Sequence, residues 1–196
     1  MQLIAEAYDI LKRGLGVSDS EIADIFNKWN TGVLDSFLID ITANILKFND
    51  DDGVPMVNKI LDQAGQKGTG KWTAINALDA GMPGMFSWLY DVVLSDSHRH
   101  VPVTLIGEAV FARCLSAIKE ERTRASKIIA GPAKEPFKGD KAQFIDDLEQ
   151  ALYASKIISY TQGFMLMRQT AKDLDWNLNY AGIAQMWRGG CIIKVS

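Results

Sequence analysis

Apolar residues recur along most of this chain at intervals of three and four, the spacing that puts them on one face of a helix. Leu3, Ile4, Ala7, Tyr8 and Leu11 form the first such stripe, which runs out at Gly14 and Gly16. Ser18 with Glu21 has the form of a capping box and opens a second helix, striped by Ile22, Ile25, Phe26 and Trp29. After Thr31-Gly32 the series Leu34, Phe37, Leu38, Ile41, Ile45 and Phe48 predicts a third, closed by the turn-forming run NDDDGVP. Val57, Ile60, Leu61 and Ala64 keep helical spacing up to a glycine-rich stretch, and a helix from about Gly70 to Ala80, stopped by Gly81, comes after it. Val103 to Ile129 reads as one long amphipathic helix, and GPAKEPFKGD as a loop by its Gly and Pro content. Asp140 caps a very long helix to about Lys172, and Tyr180 to Trp187 makes a last one. No pair of alternating β-rich runs joined by hairpin residues occurs, so the fold class predicted is an all-α helical bundle.

Composition narrows the partners more than the fold. With 196 residues, 47% hydrophobic and 23% charged, the chain can bury one sizeable core. A net charge of −3 and a pI near 5.4 give no global field for nucleic acid, so an anion has to be caught by a few placed cations, which implies a small ligand. Cys114 and Cys191 are far apart and lack metal-type spacing, which suggests reduced thiols in a cytoplasmic compartment. No apolar run approaches the roughly twenty residues that span a bilayer, so no membrane partner is expected.

Candidate chemistry is sparse. GQKGTGKWT, Gly65 to Thr73, has the order of a P-loop, but Trp72 stands where a P-loop needs Ser or Thr to reach magnesium, and what precedes it is not a β-branched run. What remains is a glycine-rich turn with two lysines at a helix entrance, a shape suited to an anion or to helix entry alone. His98 and His100 have no carboxylate or cysteine at a useful spacing, so no metal site is expected. Arg113 lies in a run of apolar and small residues, IGEAVFARCLS, where its guanidinium requires a partner, either an anionic ligand or a structural carboxylate. KEERTR, from Lys119 to Arg124, reads as a solvated mixed-charge face.

Five longer blocks, SFLIDITANILKF, DQAGQKGTGKWTAINAL, VPVTLIGEAVFARCLS, ALYASKIISYTQGFMLMRQ and NYAGIAQMWRGGCII, stand in the order of consecutive blocks of one known domain. They resemble the C-terminal helical domain of the decarboxylating 6-phosphogluconate dehydrogenase family of the pentose phosphate pathway, over nearly the whole chain. The resemblance implies that the glycine-rich loop binds a sugar-phosphate substrate. Lys67 then corresponds to the lysine at the phosphate end, Thr69 to the neighbouring hydroxyl donor and Arg113 to the arginine that clamps the phosphate; Lys71 gets no ligand role. The family reaction oxidises 6-phosphogluconate with NADP, releases CO2 and yields ribulose 5-phosphate, in a cytoplasmic homodimer.

The resemblance also implies what to expect of the rest. The nicotinamide belongs to a Rossmann domain, and this chain has no G-x-G-x-x-G after a strand. The family's general base and acid stand ahead of the segment that matches MQLIAEAY, and its C-terminal tail follows Ser196. No catalytic residue is therefore assigned here, and the expectation is a partial dehydrogenase, residues 1–196, inactive alone. The segment from Met82 to His100 is expected to be an insertion, because the family runs almost directly from INALDAG to PVTLIGEAVF. The alternative is a non-catalytic helical interaction protein that pairs with full-length subunits.

Overall fold

Three of the helices begin where the sequence supplies a side chain, Ser18, Ser36 or Asp140, for the first unpaired backbone N–H groups. In the computed structural model, which describes residues 1–65, 68–79, 102–131 and 135–193, α1 (Gln2–Asp9) runs into a single π turn, Ile10–Gly14, and the chain leaves it at Gly16 with φ +69°. Helix α2 (Asp19–Trp29) carries the expected capping box: the Glu21 N–H donates to Ser18 Oγ at 3.3 Å and the Ser18 N–H to the Glu21 carboxylate at 3.0 Å. Ser36 caps α3 (Phe37–Lys47), and a short 3-10 turn, Met56–Lys59, follows. The remaining helices are α4 (Thr69–Asp79), α5 (Thr104–Ala117), α6 (Lys119–Ser126), α7 (Lys141–Asp173) and α8 (Tyr180–Met186). Asp140 Oδ1 caps α7 by accepting the Ala142 and Gln143 N–H groups at 2.8 and 3.2 Å. Among the described residues there is no strand; Asn49 and Pro55 form an isolated bridge, and the all-α class holds.

The chain divides into two compact units. The first comprises Met1–Asp62, Ile129–Lys156 and Tyr180–Ser196, the second Gln63–Ile128 and Ile157–Asn179. In the first, Ile22, Ala23, Phe26 and Trp29 of α2 turn inward at helical spacing onto Leu11, Leu34 and Ala43, all buried. Phe26 and Trp29 meet edge to face, 5.1 Å between ring centroids. In the second, Ala77 of α4, Val103 and Leu166 of α7 form a smaller buried group. There the buried Gln162 side chain closes the start of α5, accepting the Leu105 N–H at 3.1 Å and donating to Thr104 Oγ1 at 3.0 Å.

Three expectations are corrected. In α3 the buried residues are Ile39, Ala43 and Leu46, whereas Phe37 and Ile45 of the expected stripe are 47% and 48% exposed; the helix is apolar on both faces and packing selects the other one. The stretch Val57 to Ala64 is not helical beyond Lys59, and Ile60 and Leu61 are 62% and 63% exposed. The long helix expected from Val103 to Ile129 is two helices, broken at Ile118 with φ −91° and ψ 53°. The carbonyls freed by that break are taken up by side chains: Arg122 donates to the Ser116 carbonyl at 3.1 Å and Gln63 to that of Ala117 at 2.8 Å. Gly81, the 82–100 segment, His98 and His100 lie outside the described residues.

A polar knot ties the first unit together. The Asp19 carboxylate, 7% exposed, accepts from Lys12 Nζ at 2.6 and 2.7 Å, from Tyr8 Oη at 2.8 Å and from Asn58 Nδ2 at 2.9 Å. Burial pushes this carboxyl up, but the hydrogen bonds from Lys12, Asn58 and Tyr8 and the Lys12 charge outweigh it, and its pKa ends below the ordinary value. A carboxyl lowered on folding stabilises above its unfolded value, about 3.9, and loses that contribution as pH falls through the folded value. Asp19→Asn should therefore be less stable than the wild type at pH 7, and urea denaturation should show the gap closing toward pH 2. A gap independent of pH would mean that the knot contributes shape rather than charge.

Candidate phosphate-binding site

The glycine-rich stretch enters α4 through Gly68, whose carbonyl accepts the Trp72 N–H at 3.1 Å. Thr69 is thus the first helical residue, and the N–H groups of Thr69, Gly70 and Lys71 head the helix with no intrahelical acceptor, where the helix dipole favours an anion. Thr69 and Lys71 are exposed. Trp72 is exposed too, and the residues before the loop, 60–65, form neither helix nor strand, so the elements of a P-loop do not surround this sequence.

Arg113, on α5, reaches this stretch directly. Its NH2 and Nε groups donate to the Gly65 carbonyl at 2.7 and 3.2 Å. The guanidinium is therefore tied to a loop carbonyl, a partner that the sequence did not indicate. Two of the five guanidinium N–H groups are used, and the bond sets the plane in which the others are presented. Gly65 is four residues from Thr69, so the carbonyl that holds Arg113 lies at most roughly 14 Å along the chain from the helix start. Thr69 and Arg113 are thus brought to one loop. Lys67, with Gln66, lies outside the described residues.

The neighbouring residues are tied down as well. The Ala64 N–H donates to Ser116 Oγ at 3.0 Å, and Gln63 Nε2 donates to the Ala117 carbonyl at 2.8 Å. Sequence reasoning missed Gln63 and Ser116. The available signal was the spacing of Ser116, three residues after Arg113 and hence on its face of α5. Among the described residues no group of three or more His, Cys, Asp or Glu is arranged to hold a metal, and no helix is long and apolar enough to cross a membrane.

The glycines here are not explained by backbone strain. Neither Gly65 nor Gly68 has a positive φ, and a Cβ on either would meet no heavy atom within 4 Å. A bare backbone facing open space is what close approach of a ligand requires. Gly68→Ala should accordingly leave the melting transition unchanged or slightly raised, by up to about 1 kcal/mol, while reducing phosphate binding. Calorimetry of both properties separates the two effects, and a variant that binds phosphate normally would show that the open backbone serves no ligand.

The comparisons with known proteins agree on one family. The profile described as 6-phosphogluconate dehydrogenase, C-terminal domain, matches residues 1–86 and 91–196. The decarboxylating 6-phosphogluconate dehydrogenase of Schizosaccharomyces pombe is 63% identical over 194 residues, covering 99% of this chain and 35% of that protein. The human enzyme is 59% identical over 194 residues, with 99% and 36% covered. A solved structure of Plasmodium falciparum 6-phosphogluconate dehydrogenase, described in its apo form and with its cofactor NADP+ and its substrate 6-phosphogluconate, superposes with a TM-score of 0.84 at 41% identity. It covers 100% of this chain and 38% of its own. The chain thus spans about a third of the length of these relatives.

Proposed function

This chain belongs to the family of the 6-phosphogluconate dehydrogenase C-terminal domain, and from that premise we propose that it holds the phosphate end of 6-phosphogluconate, or of another sugar phosphate, through Lys67, Thr69 and Arg113. The observation that carries this reading is the tie between Arg113 and the Gly65 carbonyl, which fastens a planar cationic donor to the loop that enters α4. A phosphate dianion suits that combination: a bidentate guanidinium, a point-charge lysine and free N–H groups at a helix start.

The family reaction is NADP-dependent oxidative decarboxylation to ribulose 5-phosphate. The described residues form no βαβ unit to hold a dinucleotide, so the nicotinamide does not fit them and no oxidation step is derived for this chain. Its role in that reaction is to bind and orient substrate. The 196 residues alone should reduce no NADP with 6-phosphogluconate.

Titration by NMR or calorimetry with inorganic phosphate and with 6-phosphogluconate tests the site. The wild type should bind both, the sugar phosphate more tightly, and Lys67→Ala should weaken both about tenfold or more, the worth of one charged hydrogen bond. Equal binding by wild type and Lys67→Ala, or preference for ATP, would refute the assignment.

Pairing of two such chains, or of this chain with a full-length subunit, is also part of the proposal. What supports it is the exposed apolar face of α3, with Phe37, Ile45 and Phe48 open to solvent. We place the protein in the cytoplasm, in keeping with its free cysteines, Cys114 and Cys191. Residues 82–100 are proposed as an insertion; the family match is interrupted within them, at 87–90, and covers the residues on either side.

A further inference from the structure

We propose that Gln63 and Ser116 are positioning residues for phosphate binding, holding residues 63–65, which lead into the glycine-rich stretch, against the last turn of α5; the proposal rests on the phosphate reading above. Three consecutive residues are each bonded to that one turn. The Gln63 side chain donates to the Ala117 carbonyl at 2.8 Å, the Ala64 N–H donates to Ser116 Oγ at 3.0 Å, and the Gly65 carbonyl accepts from Arg113 at 2.7 and 3.2 Å. Arg113, Ser116 and Ala117 stand at positions i, i+3 and i+4, the spacing of one helix face.

Among the described residues these bonds are what sets the path of this segment. Among the described residues it lies in no helix or strand, Gly65 has no side chain to bury, and the preceding Ile60 and Leu61 are exposed. Hydrophobic burial therefore does not offset the entropy of ordering it, and directional hydrogen bonds remain as the cause. The break of the helix at Ile118 is part of the device, because it leaves the Ala117 carbonyl without an intrahelical N–H and available to Gln63. The bonds fix the chain up to Gly65, four residues ahead of Thr69 at the start of α4, so this part of the approach is ordered before an anion binds. The gain from such preorganisation is read in affinity rather than in fold stability.

The full 196-residue chain tests this by NMR titration with inorganic phosphate, comparing wild type, Ser116→Ala, Gln63→Ala, Ser116→Thr and Lys67→Ala. Ser116→Ala and Gln63→Ala should each weaken phosphate binding about three- to tenfold, the range of a neutral hydrogen bond, with melting midpoints close to wild type. Hydrogen exchange of the Ala64 amide should speed up in Ser116→Ala, and Ser116→Thr, which keeps the hydroxyl, should restore both properties. If Lys67→Ala loses binding while Ser116→Ala and Gln63→Ala bind like wild type, the staple has no positioning role and the phosphate site stands. If Lys67→Ala binds like wild type, or the wild type does not bind phosphate, the functional reading fails and this inference with it. Gln63 is exposed and its truncation leaves no cavity, so that variant decides the matter even where Ser116→Ala folds poorly.

Discussion

Alanine at Arg113 should weaken phosphate binding by more than the tenfold expected for Lys67→Ala, because it removes two functions at once. A charged hydrogen bond from a guanidinium to phosphate is worth about 1.5–3 kcal/mol, which is roughly ten- to a hundredfold in affinity. The same substitution also removes both donors to the Gly65 carbonyl, at 2.7 and 3.2 Å, and so loosens the loop. Arg113→Lys separates the parts. It keeps the positive charge, but a single ammonium does not reproduce the planar fork that reaches the carbonyl while presenting further N–H groups. The lysine variant should therefore recover the salt-dependent attraction but stay well below wild-type affinity. Calorimetric titrations of the three proteins with phosphate at low and high salt provide the comparison. Wild-type affinity in Arg113→Ala would reduce the arginine to a structural tie, whereas full recovery in Arg113→Lys would make it a charge without geometry.

Trp29→Ala should destabilise the first unit by about 3–5 kcal/mol, a large part of the 5–15 kcal/mol that a domain commonly has. Trp29 is 0% exposed, at the end of the buried face of α2, and packs its ring edge to face on Phe26. Its truncation removes the largest fully buried side chain among the described residues and leaves a cavity that rigid helices collapse onto only in part. Trp29→Phe gives the sharper contrast. The indole Nε1 is buried with no hydrogen-bond partner among the described residues, so phenylalanine gives up ring area but also removes an unsatisfied donor. It should cost less than about 1.5 kcal/mol. Urea denaturation followed by circular dichroism measures both. A Phe variant as damaged as the Ala variant would show that ring volume alone, and not the orphaned donor, sets the energetics of this position.

Much of the fold was legible because its signals are local. Ser18 and Glu21 stand three residues apart, and Asp140 lies within three residues of the N–H groups it accepts, so neither cap depends on anything distant. The glycine-rich stretch could be recognised as a helix entrance for the same reason, and α4 starts at Thr69 as its pattern implied. The helical spacing of Val57 to Ala64 gives no helix beyond Lys59, because spacing alone does not say whether a face has anything to pack on. Among the described residues Ile60 and Leu61 have no such surface, and the chain that follows them is held by polar bonds.

By itself the sequence determined the all-α class, most helix starts and the family, since helix periodicity, caps and long ordered blocks are all written in neighbouring residues. Tertiary structure alone decided which face of α3 is buried, because both Phe37-Ile45 and Ile39-Ala43-Leu46 have helical spacing and only the packing of the first unit distinguishes them. It also decided where the Val103–Ile129 run breaks and what Arg113 binds. Those outcomes depend on hydrogen bonds between residues 48 to 54 positions apart, separations at which no local pattern specifies which donor meets which carbonyl.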